Sequence, residues 1–375
     1  MAQEPVALLR ELVAIPSMNP YRSETLEEGY GEARLAEHVA AILRDAGLDT
    51  QVTEVQPGRP NVTARLDGPA GGEPVLFVAH LDTVPVEGMT IPPFEGAVRD
   101  GCLHGRGACD NKGSMAAMLT ALRGVAAAGS NHSPIMFAAT ADEESGYRGV
   151  RALVEGGIAA RMAIVGEPTR LNVVIAHKGA VRGAITTHGK SAHSSDPTKG
   201  ANAIYRMAPL LLDLEKLAAE LPTRPSHPLV GPPTLSVGTI HGGITVNTVP
   251  DRCTIEVDRR LLPGESPEDA AAEIRAIAER HGATMVDIFA GGPFEVPADA
   301  EVVSCACRAV AAELGEAHTI GVPFGTEASE LMKAGIPTVV LGPGDVAKAH
   351  SADECVPIDQ LDTLVRIYER IMTAE

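Results

Sequence analysis

The stretch Pro74-Val75-Leu76-Phe77-Val78-Ala79-His80-Leu81-Asp82 decides how the chain is read. A short apolar run bounded by turn residues marks a strand buried on both faces, which a parallel or mixed sheet provides. The pattern recurs at 134–140, 162–165 and 338–341. Helical spacing occupies 4–14, 31–46 (closed by Gly47) and 112–128, and 52–55 and 61–66 read as short strands. Strands alternating with helices predict an α/β domain: a mixed, mostly parallel sheet with helices on both faces.

Between about 177 and 287 the texture changes. Positions 179–188 alternate like a half-exposed strand, 201–217 reads as a helix, and 234–240 and 253–259 read as strands. A helix at 267–281 and a last strand at 284–289 complete the series. Strand, helix, two strands, helix, strand is the split βαβ, ferredoxin-like order. The sequence therefore predicts an α+β domain at 178–287 inserted into a domain built from 1–177 and 288–375. A chain of 375 residues exceeds what one core usually organises. The Pro-rich stretch 221–233 is a surface loop within the insert.

Composition excludes several classes of function. A formal charge of −18 repels phosphate backbones, and no Lys/Arg-rich run offsets it, so nucleic acid is not expected as a partner. Trp is absent and Tyr and Phe are sparse, which removes stacking platforms. No run approaches the roughly 18 apolar residues of a membrane span. Met1-Ala2-Gln3-Glu4-Pro5 lacks the basic-then-apolar pattern of a signal peptide. Six scattered cysteines, at 102, 109, 253, 305, 307 and 355, read as free thiols in a reducing compartment, so a cytoplasmic location is expected. Lys112 is followed by Gly113 rather than Ser/Thr, so the glycine-rich segment 105–113 is no P-loop, and no nucleophile elbow or His-Glu-x-x-His helix occurs.

The chemistry lies where the apolar strands end. In open α/β sheets, ligands bind outside the carboxyl ends of the strands. Here 75–79 leads into His80-Leu81-Asp82, 134–140 into Asp142-Glu143-Glu144, 162–165 into Gly166-Glu167, and 338–341 through Gly342-Pro343-Gly344 to His350. The loop Gly105-Arg106-Gly107 places Asp110 just before a helix. Each feature alone is ordinary: a lone His-x-Asp is a turn pair, a Glu-Glu pair a solvated loop. Their coincidence on successive strand ends predicts two His and three carboxylates converging on one rim, a two-metal arrangement. Mixed imidazole and carboxylate ligation suits Zn2+, with Co2+ or Mn2+ also fitting. Asp82, two residues from His80, is placed to fix the imidazole tautomer. One carboxylate of the pair Glu143-Glu144 can reach the metal and the other a reacting water, and spacing alone leaves open which is the base.

At these residues the chain resembles the metal-dependent aminoacylase and deacylase family, which includes acetylornithine deacetylase, succinyl-diaminopimelate desuccinylase, carboxypeptidase G and aminoacylase. The resemblance runs through 79–85, 105–113, 139–144, 165–169 and Ala176-His177-Lys178-Gly179. It implies that His80 and Glu167 bind one metal and Glu144 and His350 the other, with Asp110 bridging, Asp82 behind His80 and Glu143 as general acid/base. It also implies a cis peptide after Asp110. In the insert, Ser191-Ala192-His193-Ser194-Ser195 is similar to the segment whose His polarises the scissile carbonyl, often across a dimer, which makes His193 an oxyanion donor. Gly242-Gly243-Ile244-Thr245-Val246-Asn247 and Asp258-Arg259-Arg260 match the family's carboxylate-binding Asn and Arg, pointing to Asn247 and to Arg260 rather than Arg259. The stretches 193–197, 240–243, Thr326-Glu327-Ala328, 341–344 and Asp353-Glu354 are most similar to the acetylornithine deacetylase branch. Cys109-Asp110-Asn111 departs from the commoner forms around the bridging Asp without removing a ligand.

The resemblance thus implies a two-metal amidohydrolase that removes the acyl group of a small N-acyl amino acid. Glu143 shuttles the proton, while Asn247, Arg260, Gly325 and Thr326 hold the substrate carboxylate. The insert would serve as a lid and as the interface of a homodimer. A dipeptidase or carboxypeptidase on the same scaffold is the alternative, and a non-catalytic metal-binding protein the remote one.

Overall fold

The computed structural model describes residues 5–21, 26–69, 71–129 and 133–374. Residues 1–4, where the reading of the leader and of the first helix begins, lie outside the described residues. The chain divides into two compact units, Met1–Ile175 with Val296–Ile320 and Thr326–Glu375, and Ala176–Glu295 with Gly321–Gly325.

The first unit carries an α/β sheet. Its strands run in the order Asp49–Gln56, Arg59–Leu66, Ile135–Thr140, Val75–His80, Met162–Val165, Thr338–Val340, Val173–His177. The four middle strands pair in parallel, and the flanking pairs are antiparallel. Val75–His80 sits at the centre and is buried along its whole length, as a strand covered on both faces requires. Helices Pro5–Val13, Lys112–Ala128 and Ile358–Met372 pack together, and Ala33–Asp45 packs on the first two strands. Lys112–Ala128 is buried through most of its length and ends at Gly129 with φ 57, the left-handed cap that glycine supplies without strain.

Some elements had no readable signal. The antiparallel three-stranded sheet of Ala97–Arg99, Cys102–His104 and Cys355–Pro357 is built of strands too short to show a period. The helices Arg148–Glu155, Glu301–Leu314 and Ile358–Met372 and the strand Val173–His177 also lie outside the expected elements, although Leu361, Leu364, Val365 and Tyr368 repeat at helical spacing.

The second unit is a four-stranded antiparallel sheet in the order Thr234–Gly242, Arg252–Leu261, Gly179–His188, Thr284–Gly291. Numbered along the chain this order is 2-3-1-4, the ferredoxin-like arrangement. Helices Ala203–Glu220 and Pro267–Arg280 pack on it through Met207, Leu210, Leu214, Ile274 and Ile277, against Ile185, Ile255 and Val257. The second unit begins at Ala176 and departs from the expected 178–287 in two further ways. The last strand keeps its ladder as far as Gly291↔Ala180, carrying the unit beyond 287 to Glu295. The segment Gly321–Gly325, expected with the first domain, also belongs to the second unit.

Asn202 caps the helix Ala203–Glu220, its side-chain oxygen accepting from the amides of Ile204 (2.9 Å) and Tyr205 (3.2 Å). Asn202→Ala is expected to lower stability by about 1 kcal/mol, read in the unfolding transition that carries this unit. Among the described residues, no helix is long and apolar enough to cross a membrane.

Candidate metal centre

His80 is the last residue of the central strand, in register with Thr140 on the neighbouring parallel strand, so both deliver their next residues to the same rim. The imidazole is 1% exposed. Its Nδ1 lies 2.8 Å from the backbone oxygen of Asp82, and its Nε2 lies 3.0 Å from Asp110 Oδ1 and 3.6 Å from Glu167 Oε1. The second oxygen of Asp110 faces the other imidazole: His350 Nε2 is 3.2 Å from Asp110 Oδ2 and 3.0 Å from Glu144 Oε1. Asp110 therefore stands between two His–carboxylate pairs, with one oxygen turned to each. Candidate ligand atoms of His80, Asp110 and Glu144 all lie within 4.8 Å of one another. The residues His80, Asp110, Glu144, Glu167 and His350 are brought together within the first unit.

The supports of these side chains include residues that the family-like stretches contain but to which the sequence assigned no role. Glu354 is buried and its carboxylate accepts four hydrogen bonds: Oε2 from Arg106 (2.6 Å) and the Gly107 amide (3.0 Å), Oε1 from the amides of Cys109 and Asp110 (3.0 Å each). One carboxylate thus organises the loop that presents Asp110. The Asp110–Asn111 peptide is cis. The side chain of Asn111 donates to the backbone oxygen of Gly166 (2.6 Å) and to Glu167 Oε1 (3.3 Å). Glu354→Ala would strand a guanidinium and three amides, and is expected to weaken metal retention by about 10–100-fold in a chelator competition.

Asp82 has a different task from the one its spacing implied. Its carboxylate stays 3.8 Å from His80 Nδ1, which is held instead by the Asp82 backbone oxygen. The carboxylate receives the amide of Glu143 on Oδ1 (3.0 Å), and that of Glu144 (3.1 Å) and the side chain of Asn19 (2.7 Å) on Oδ2. It therefore fixes the turn on which both glutamates sit. Behind that turn, Asp142, with φ 65, is held by Arg59 (2.8 Å), Arg148 (2.8 Å), Ser145 (2.7 Å) and Asn19 (3.1 Å).

The site is short of positive charge. Burial and the neighbouring carboxylates of Glu167, Glu144 and Glu327 push Glu143 well above the usual carboxylate range, against the pull of His80. Burial and Asp110 do the same to Glu167. Burial opposes charge on the two imidazoles as well, yet hydrogen bonds to Asp110 and Glu144 lift His350 to about 11, and Asp110 holds His80 well above its ordinary value. Burial likewise works against Asp110, but its bonds to His350 and His80 carry it below the usual range. A cluster that raises acids and imidazoles together is one that divalent cations would neutralise, and its two-His, multi-carboxylate donor set fits them. A further buried acid, Glu327, accepts from Thr140 Oγ1 (2.7 Å) on Oε2, while its Oε1 has no protein partner. Burial raises it to about 8.

Thr326 is buried in the first unit, its Oγ1 accepting from the Ala328 amide (3.2 Å). Gly325, His193, Asn247 and Arg260 belong to the second unit. There His193 and Asn247 are neighbours: His193 pairs with Thr248, and the Ser194 amide donates to the Asn247 backbone oxygen (3.0 Å). Arg260 is half-buried and paired with Asp258 through Nε (2.6 Å) and Nη2 (3.1 Å). Arg259 is the buried member of the pair, bonded to Glu265 Oε1 (2.7 Å).

Residues 76–374 match the model of Peptidase family M20/M25/M40. An acetylornithine deacetylase of Myxococcus xanthus is 36% identical over 366 residues, covering 95% of this chain and 93% of the relative. An acetylornithine deacetylase of Proteus mirabilis is 34% identical, covering 94% and 91%. Among solved structures, an M20 family metallo-carboxypeptidase from Sulfolobus solfataricus superposes with a TM-score of 0.83 over 99% of this chain and 98% of that one, at 18% identity, a likeness of fold. The chain belongs to peptidase family M20/M25/M40, and it is a metal-dependent hydrolase acting on amide bonds.

Proposed function

We propose that the chain removes the acyl group from a small N-acyl amino acid, in the manner of the acetylornithine deacetylases it resembles. The observation that carries the proposal is Asp110 set between the pairs His80–Glu167 and His350–Glu144, with Glu143 fixed beside them by Asp82. In this reading His80 and Glu167 would hold one divalent cation and Glu144 and His350 a second, with Asp110 shared. Zn2+ suits the donors best, and Co2+ is the alternative. Bound there, the cations supply a Lewis acid for the acyl carbonyl and lower the pKa of water.

The chain's own residues do the rest. Glu143 takes the proton of the attacking water and hands it to the departing amine nitrogen. The Ser195 hydroxyl (2.7 Å) and amide (3.2 Å) both engage His193 Nδ1, so Nε2 is the ring nitrogen left to meet an oxyanion. His193 then serves as an Nε2–H donor to that oxyanion. Arg260, Asn247, Gly325 and Thr326 hold the substrate carboxylate. Since Arg260 is already paired with Asp258, the substrate competes for its fork. Arg260→Ala is expected to raise KM about tenfold or more with a smaller change in kcat, as loss of a binding contact does. An unchanged KM would remove Arg260 from the site.

The second unit serves in this reading as a lid and as the interface of a homodimer. The support is an edge strand, Thr234–Gly242, with exposed Ile240, followed by exposed Ile244 and Val246. Light scattering tests it. A cytoplasmic site of action accords with six free cysteines.

The deciding assay strips the metal, reloads Zn2+ or Co2+, and follows amine release. The panel is N-acetylornithine, N-acetylmethionine, N-succinyl-diaminopimelate, N-formyl amino acids and dipeptides. Metal-dependent release from one N-acyl amino acid supports the proposal. Release from dipeptides alone moves the reading to a dipeptidase, and no release with both metals bound sinks it.

A further inference from the structure

The three-stranded sheet beside the loop of Asp110 brings two cysteines together. The strands Cys102–His104 and Cys355–Pro357 pair antiparallel, with Cys355 opposite His104 and Pro357 opposite Cys102. Side chains alternate across a strand, so Cys102, His104 and Cys355 share one face, and the two cysteines are diagonal neighbours across the strand pair. Their thiols are hydrogen-bonded to one another and both are free. Cys355 is 8% exposed and Cys102 is half-buried. Burial and the neighbouring Cys102 push the Cys355 thiol up to about 11, against the pull of the Lys348 ammonium, which Asp353 holds at 2.7 Å.

The place of the pair matters. Cys102 opens the strand that runs through His104 into the loop of Asp110. Cys355 directly follows Glu354, whose carboxylate holds that same loop, and it ends the segment that carries His350. We propose that Cys102 and Cys355 are a modification site: a thiol pair that a hydroperoxide converts into an intrachain disulfide, cross-linking the segments that deliver Asp110 and His350. The proposal stands independently of which amide the enzyme cleaves.

The chemistry balances within the pair and the peroxide. The sulfur of Cys102, the more exposed thiol, attacks a peroxide oxygen. The O–O bond breaks, the alcohol leaves, and Cys102 becomes a sulfenic acid. The sulfur of Cys355 then displaces hydroxide from it: an S–S bond forms, the S–O bond breaks, and water departs with the thiol proton. Two thiols and one hydroperoxide yield one disulfide, one alcohol and one water. Both electrons come from the sulfurs, and a reducing dithiol reverses the reaction.

The test uses the full metal-loaded chain and one equivalent of hydrogen peroxide, followed by alkylation, proteolysis without reductant and mass spectrometry. The expected product is a peptide pair joined through Cys102 and Cys355, lighter by two hydrogen atoms and split by dithiothreitol. In Cys102→Ser, which changes a half-buried side chain by one atom, Cys355 is expected to remain a thiol at the same dose. Bridges to other cysteines would overturn the proposal, as would Cys102 oxidised to sulfinic acid beside an alkylatable Cys355. Equal oxidation of Cys355 in Cys102→Ser would overturn it too.

Discussion

Glu143→Gln is expected to lower kcat by about two to four orders of magnitude while metal content stays at the level of the unmodified enzyme. The substitution keeps the shape of the side chain and the backbone amide, so the bond from the Glu143 amide to Asp82 Oδ1 survives. It removes only the ability to take and return a proton. KM should change little, because a base acting in the transition state contributes little to ground-state binding. The comparison with Glu144→Gln is decisive. Glu144 accepts from His350 at 3.0 Å and stands close to Asp110 and His80, so its loss should reduce metal retention together with activity. If Glu143→Gln lost metal while Glu144→Gln kept it, the two roles would have to be exchanged.

Spacing alone did not carry that distinction, which only the family resemblance implied. Adjacent carboxylates at a strand end can be read as a pair, but which one turns toward His350 depends on Asp82, sixty residues earlier in the chain and bonded to both amides. What the sequence did carry was the set of strand ends. Residues 75–79 and 162–165 are apolar because their strands are covered on both faces, and the residue types at their exits are visible without knowing the fold. The order of the second unit was legible for a similar reason: its two helices and four strands have distinct periods. The roles of the supports were hidden because they are single polar residues from distant segments. Asn19, Glu327 and Glu354 carry no periodic signal, and each acts through one or a few hydrogen bonds that only the folded chain creates. The small sheet of Cys102–His104 went unread because three residues cannot display an alternation.

Arg59→Met is expected to destabilise the first unit by about 3–5 kcal/mol, the usual consequence of leaving a buried charge without its partner. Arg59 and Glu32 are both nearly inaccessible. The guanidinium reaches Glu32 through Nε (2.8 Å) and Nη2 (2.6 Å), and Asp142 through Nη1 (2.8 Å). Asp142 keeps Arg148, Ser145 and Asn19 when Arg59 is lost, whereas the Glu32 carboxylate keeps, among the described residues, only the Asp142 amide at 3.1 Å. The cost should therefore fall mainly on Glu32, and Glu32→Gln in the same chain should recover much of it. The size of the effect depends on pH with a definite sign. Burial holds Glu32 at about 7 even with Arg59 bonded to it, and removing the cation raises it further. Below that value Glu32 is neutral with or without Arg59, so the deficit of Arg59→Met should shrink as the pH falls and be fully expressed only above it. Urea titrations at several pH values, following the transition of this unit, measure both quantities. Metal retention should decline with stability, because Asp142 leads directly into the turn of Glu143 and Glu144. A loss below about 1 kcal/mol even well above the Glu32 value would mean that water replaces the guanidinium, and that the turn is held by Asp82 and Asn19 alone.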